Sequence, residues 1–455
     1  MRMRSGENHH RSVIIAVESH ARFLVLPFSP VPMLDADQVA PLSSAQEKLL
    51  HNQEITRESP GSILRDVDTM LDLVGEDGLR VSESRGAIYT KRLSEINEQL
   101  THSLEADYKR LTQKAFPTIA GLNLLLRAAA LVRIDRTDPP PRMVRNEEIV
   151  ASWHTLNPTE QYMSLQEAWL NRADEEKIFK DRRPRGMSTL VEVLRAIQQI
   201  PPMGAEIESD ARNELRYRPG YLGLALIWMF GLVEIEERGT AAGEPWKIDR
   251  INLPAFGKTL LRRLGRALIE KQEALEKENP PDVWTWGVDV SSLELARDEL
   301  QHVLQPYFPE WEQHLDRPHT DFRPAPHVFT VELYDQCRWR VAAPGTASLD
   351  ALSSCLLRAA QFDRDHLYCF FYEDPYGHEQ RVNDPRGFLE PPFADEMRVG
   401  ELPIRPGIEL TYRYDFGDRW DFNLTLDAVG PGDVLVDAPT ILETEGERPE
   451  QYPGW

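Results

Sequence analysis

Tyr412-Arg413-Tyr414-Asp415-Phe416-Gly417-Asp418-Arg419-Trp420, running on into Asp421-Phe422-Asn423-Leu424-Thr425-Leu426, alternates apolar and polar residues about a central break. Leu410, Tyr412, Tyr414 and Phe416 fall on one face of a strand. Trp420, Phe422, Leu424 and Leu426 fall on the matching face of a returning one. Gly417 would supply the positive φ of a tight hairpin, and Asp418 suits the same turn. The aromatic stripe reads as core. The opposite face carries Glu409, Asp415, Asp421 and Asp427. Oxygen ligands of this kind suit a hard cation, with Asp415, Asp418 and Asp421 as the candidate set. A solvated acidic face is the ordinary alternative.

Upstream the period of two continues. Val328, Thr330 and Glu332 alternate with Phe329, Val331 and Leu333, and a second strand is expected over 338–341. A helix follows, with Ser348 as N-cap and Leu349, Leu352, Leu356 and Leu357 on its apolar side. Further strands are expected over 366–372, 408–416 and 420–426. Two strands, one helix and a return to strands is the order of a β-grasp, ubiquitin-like domain. Its upstream limit is the Pro-rich stretch 316–326, with Pro318, Pro324 and Pro326.

The run Tyr414-Asp415-Phe416-Gly417-Asp418-x-Trp420 on a terminal hairpin resembles the plasmid pRiA4b ORF-3-like family, over about residues 326–455. Trp339-Arg340-Val341 resembles the family's second strand, and His366-Leu367-Tyr368 its third. Tyr376-Gly377 resembles a following turn, and 447–455 a Pro-Glu-Gln-Tyr-Pro tail of some members. The resemblance implies a β-grasp fold and a link to mobile elements, since members include passenger proteins of insertion elements. It implies no chemistry. Many members carry His two residues after the hairpin Trp; Phe422 stands there, so any role for that His is absent.

The chain has 455 residues, 41% of them apolar, enough for two or three cores. Its 74 acidic against 52 basic residues give −22, with mean hydropathy −0.46. Such a protein repels phosphate, so a nucleic-acid role needs a local basic patch. The charge is uneven: residues 326–455 hold 11 arginines, no lysine and 24 acidic residues, about −13, leaving about −9 for the rest. The acidic domain is therefore expected to meet a protein partner with a basic surface, while the helical region stays open to nucleic acid. No apolar run reaches the roughly 18–20 residues that span a bilayer. Arg2, Arg4 and Arg11 precede Val13 in the manner of a secretory signal, but Glu18, His20 and Arg22 interrupt it, and secretion is rejected. Cys337, Cys355 and Cys369 lack paired spacing and read as reduced, buried thiols of a cytoplasmic protein.

Residues 1–59 read as a poorly ordered or loosely docked leader. From Ser59, a candidate N-cap, helical spacing sets in at Ile63, Val67, Met70, Leu71 and Val74. Two segments about a hundred residues apart then share a layout. Leu124–Leu126 leads to the strand 131–135, a turn at 137–141, a strand at 142–144 and a helix. The segment 224–230 leads likewise to 232–236, a turn at 238–245, a strand at 246–251 and a helix that Asn252 would cap. Helix, hairpin, helix is a winged-helix outline, giving units over 60–180 and 181–275, then a helical connector and linker over 276–325 and the β-grasp domain over 326–455. The second unit's central helix is uncharged. The first offers Arg133, Arg136, Arg142 and Arg145, whose hairpin could touch phosphate without reading sequence. Packing or protein contact is the simpler use, given the overall charge.

Asp415-Phe416-Gly417 spells a kinase magnesium motif, but its companion motifs are missing, as are Walker, nucleophile-elbow and zinc-protease sequences. His314, His319, Asp321 and His327 lie in the Pro-rich linker, which would hold them apart. His366 and His378, with Asp365 and Glu373 or Asp374, are the remaining candidates for acid–base work. The expectation is a multidomain α+β protein without cofactor and without catalytic residues, acting through protein contacts. A nucleic-acid-associated regulator and a metal-dependent enzyme are the rivals.

Overall fold

The computed structural model describes residues 40–104, 112–136, 139–173, 178, 188–198, 200, 215–237, 246, 248–278, 293–318, 322–376, 378–387, 390–430 and 436–452. Most of the expected leader and the whole of the second hairpin's expected turn, 238–245, lie outside them, as do His319, Asp321 and Gly377. The described architecture is mixed: helices with two small sheets, then a seven-stranded antiparallel sheet. Two apolar cores follow this division, one running from Leu50 to Leu315 and one from Phe329 to Leu426.

The first helix, α1 (Ser44–His51), falls within the expected leader. Ser43 caps it, in a reciprocal pair with Gln46, and Leu50 is buried in the first core, so this part of the leader is docked. Then come α2 (Ile63–Val74), β1 (Leu79–Arg80), α3 (Thr90–Gln99) and α4 (Pro117–Ala128). Ser62, not Ser59, precedes α2. Strands β2 (Val132–Asp135) and β3 (Arg142–Arg145) form the first hairpin, to which the two-residue β1 adds a third strand. Helices α5 (Glu147–Thr155), α6 (Pro158–Arg172), α7 (Thr189–Gln198) and α8 (Tyr221–Met229) follow. The second hairpin is β4 (Glu234–Glu237) with β5 (Ile248–Asn252), then α9 (Ala255–Glu278) and α10 (Arg297–Leu304). Asn252 ends β5 rather than capping α9.

The two copies share a backbone device. After α4, Ala130 has φ +56, and the Leu131 N–H bonds the Leu126 carbonyl at 2.9 Å. After α8, Gly231 has φ +70, and the Leu232 N–H bonds the Ile227 carbonyl at 3.0 Å. This left-handed helix stop turns the chain directly into a strand. The central helices α4 and α8 meet closely: a Cβ on Gly121 would sit 3.1 Å from the Leu226 side chain.

In the C-terminal part, β6 (His327–Leu333) and β7 (Cys337–Ala343) form a hairpin, followed by α11 (Leu349–Ala360). The Ser348 hydroxyl accepts from the Ala351 N–H, as expected of the cap. Strands β8 (Tyr368–Glu373), β9 (Glu379–Asn383), β10 (Glu409–Tyr414), β11 (Trp420–Val429) and β12 (Thr440–Gly446) complete the sheet. The order is β12-β7-β6-β11-β10-β8-β9. The α11 side holds the aromatic core, with Trp339, Tyr368, Tyr412, Tyr414 and Phe422 fully buried. Cys337, Cys355 and Cys369 are all free and buried.

Candidate functional site

The β10–β11 hairpin forms, but its turn differs from expectation. The left-handed residues are Asp415 (φ +56) and Arg419 (φ +57), not Gly417. Asp415 tolerates that conformation because its carboxylate accepts from the Gly417 N–H at 2.8 Å, an Asx turn. The strand therefore ends at Tyr414, and Phe416 lies exposed in the turn instead of in the core, beneath the Arg381 guanidinium. Tyr412, Tyr414 and Trp420 do point inward.

Tyr414 is the hub of the hairpin. Its hydroxyl accepts from the backbone N–H groups of Asp365 and His366, each at 3.1 Å, and faces the Asp363 carbonyl and the Asp365 carboxylate as acceptors. Tyr452 donates to the other Asp365 oxygen at 2.8 Å, and that bond pushes its phenol up to about 12. His366 stands 3.5 Å from Asp415 and 3.7 Å from Asp365. Neither tyrosine is disposed as a base, and burial raises Tyr414 as well.

The proposed cation set does not converge. Arg413 holds Asp421 through two hydrogen bonds of 2.6 and 2.7 Å, while Asp415 is turned onto its own loop. Among the described residues no group of three or more His, Cys, Asp or Glu side chains could hold a metal ion. The acidic residues spread over the open sheet face and meet partners across strands. Asp427 accepts from Thr330, Glu332 pairs with Arg338, and Glu443 pairs with Arg340.

His378 is not part of the His366 neighbourhood. It sits in the β8–β9 turn, 3.4 Å from Asp374, with its Nε2 bonded to the Arg172 carbonyl at the end of α6. Burial would raise the Asp374 carboxyl, but hydrogen bonds from His378 and Gln380 outweigh it and hold it low. The expected acid–base set is thereby divided between two places. The β8–β9 turn instead docks the sheet on the helical region, with Glu373 3.3 Å from Arg136.

The four hairpin arginines also have protein acceptors. Arg133 pairs with Asp135, Arg136 with Glu373, Arg145 with Glu147, and Arg142 donates to the Asp77 and Gly78 carbonyls. Arg133 and Arg136 line a cleft of about 820 Å³ with Arg127, Arg323 and Arg405. Glu83, Glu373, Asp374, Glu379 and Glu409 line it too, so it is no basic groove. A feature absent from the expectations is the buried Glu167 with Arg172, Arg297 and Arg317 around it. Glu167 and Arg172 share α6, but Arg297 and Arg317 lie more than a hundred residues downstream, and no spacing points to their meeting.

Fold and site together define a helical protein bearing a seven-stranded antiparallel sheet whose open face carries cross-strand ion pairs. Residues 329–454 match the family model described as Plasmid pRiA4b ORF-3-like protein, in agreement with the resemblance of the hairpin text. A crystal structure of a protein of unknown function from Methanosarcina mazei Go1 is similar at 18% identity and a TM-score of 0.24, over 27% of this chain and 70% of that one. No curated protein matches. Among the described residues no helix is long and apolar enough to cross a membrane.

Proposed function

We propose that this is a non-enzymatic, cytoplasmic interaction protein whose C-terminal domain captures a basic, extended protein segment along β12. The observation that carries this reading is the outer edge of the sheet. Among the described residues β12 pairs with β7 alone, and Glu443, Glu445 and the adjacent Glu447 are exposed. An edge strand offers a row of unpaired N–H and C=O groups to an added strand. Glutamates along that edge repel a second copy of the same chain and favour a Lys- or Arg-rich segment.

The C-terminal sheet and α11 are read as an enlarged β-grasp. The helix–hairpin–helix units are read as winged-helix-like elements used for packing, because α4 and α8 are buried against each other. A nucleic-acid role linked to mobile elements has less support, since each hairpin arginine already has an acceptor. A metal-dependent enzyme has less support again, since Arg413 holds Asp421.

The test is fluorescence anisotropy of an arginine-rich extended peptide against the full chain at low salt. Saturable, salt-sensitive binding is expected, lost on the triple substitution E443K/E445K/E447K. No binding at low salt, or binding untouched by the triple substitution, overturns the reading. Duplex DNA binding that drops in R142Q/R145Q would favour the rival instead.

A further inference from the structure

The helical region buries one carboxylate beneath an excess of cations. Glu167 on α6 is 3% exposed and contacts Arg172, Arg317 at 3.2 Å and Arg297 at 3.6 Å. Arg172 ends α6, Arg297 opens α10, and Arg317 lies in the segment beyond it, so three separate pieces of chain converge. Hydrogen bonds fix two of the guanidiniums: Arg172 Nε donates to the Ala128 carbonyl at 2.9 Å, and Arg297 Nη2 to the Leu315 carbonyl at 3.2 Å. The Nε of Arg297 is buried without a hydrogen-bond partner.

Among the described residues, one carboxylate contacts three guanidiniums, while the nearby Lys271 is matched by Glu299 at 2.7 Å and Asp298 stands exposed next to Arg297. Exposed Glu294 at the rim offsets only one more charge. Burial and the neighbouring arginines lower Arg297, which Glu167 only partly offsets. Cations withdrawn from water at such an excess are costly unless an anion joins them. The same side chains line a cleft of about 420 Å³, with Tyr376 on its wall and the Arg172 guanidinium 5.1 Å from that ring.

We propose that this cleft binds a phosphate dianion, free or as a small phosphate monoester, through Arg297 and Arg317, with Lys271 at the mouth. Guanidinium forks match phosphate oxygens, and a partly buried setting strengthens those bonds. Arg172 and Glu167 hold the two binding arginines apart and in place. The cleft leaves room for a small organic remainder against the Tyr376 ring.

The test is isothermal titration of the full chain with inorganic phosphate at low salt. One saturable site is expected. Arg317 is 49% exposed, so R317Q should fold and bind phosphate roughly ten-fold more weakly, as loss of one charged hydrogen bond predicts. If R317Q fails to fold, K271Q gives the same reading, with Lys271 at 28% exposure. No saturable heat at millimolar phosphate, or unchanged affinity in the folded variant, overturns the proposal. The β12 triple substitution should leave phosphate binding intact, so the two proposals fail separately.

Discussion

Arg413 and Asp421 face each other across β10 and β11, joined by hydrogen bonds of 2.6 and 2.7 Å from Nε and Nη2 to the two carboxylate oxygens. This pair neutralises Asp421 and ties it to the neighbouring strand, which removes it from any converging set of oxygen ligands. Titration with Mg²⁺, Ca²⁺ or Zn²⁺ should therefore leave the thermal midpoint unchanged, and chelators should do nothing. A rise in midpoint that D421N abolishes would contradict this. In a double-mutant cycle with R413A and D421A, the coupling should be about 0.5–1 kcal/mol, as for a half-exposed cross-strand pair.

Tyr414 serves the β10–β11 hairpin as a brace. Its hydroxyl is the acceptor for two backbone N–H groups, those of Asp365 and His366. Y414F leaves both donors without that partner and should cost about 1–3 kcal/mol in urea unfolding, with the core otherwise intact. Loss under about 0.5 kcal/mol would show that water replaces the phenol there.

Glu167 should behave unlike any surface carboxylate. Burial raises it, but Arg172, Arg297 and Arg317 outweigh burial and hold it below the usual range. Its contribution to stability is therefore present above the unfolded carboxyl value and lost as pH falls through the lower folded value. E167Q strands three arginines and should cost about 3–5 kcal/mol near neutral pH. It should also flatten the acid limb of the stability curve. A variant as stable as the parent would remove the cluster from any structural account.

The sequence made the alternating strands readable, because the period of two in β6, β10 and β11 reflects one buried and one open face. It also showed Ser348 as a cap and the repeated helix-to-strand layout. Phe416 misled because alternation assumes a strand, whereas the Asx turn at Asp415 ends it two residues earlier, at Tyr414. Strand β12 escaped notice because an exposed edge has no apolar face to betray it, and β9 is short and largely polar. Arg297 and Arg317 reach Glu167 only through tertiary packing, so spacing carries no trace of them.

Gly61 and Gly231 join the start of α2 to the stop after α8. A Cβ on Gly61 would lie 2.2 Å from the Met229 carbonyl oxygen, and one on Gly231 would lie 2.2 Å from that of Pro60. Both obstacles are backbone, which cannot swing aside, and Gly231 also has φ +70. G61A and G231A should each lose about 3 kcal/mol or more by denaturant unfolding, at the upper end for overpacking. In contrast, alanine at Gly220, with nothing within 4 Å, meets only the strain of its φ of +79. With ψ 169 this is a region that only glycine adopts freely, so the cost should be about 1–3 kcal/mol, all of it backbone strain.

Burial lowers three histidines, and the sign of the resulting pH dependence is fixed. His102 is lowered by desolvation, partly offset by Asp66, while its ring stacks on Trp228 at 3.7 Å and 21°. His314 is lowered by desolvation and by Arg297, and His327 by desolvation, offset in part by the Ala325 carbonyl. The unfolded chain takes up these protons at about pH 6.5, above the folded values. Stability is therefore full above that pH and falls as pH drops through it toward the folded values. H102F keeps a stacking ring without a titrating group, so it should reduce the loss between about pH 7.5 and pH 5.5. Urea unfolding at those two values measures it; an unchanged loss in H102F would assign the dependence to His314 and His327 alone.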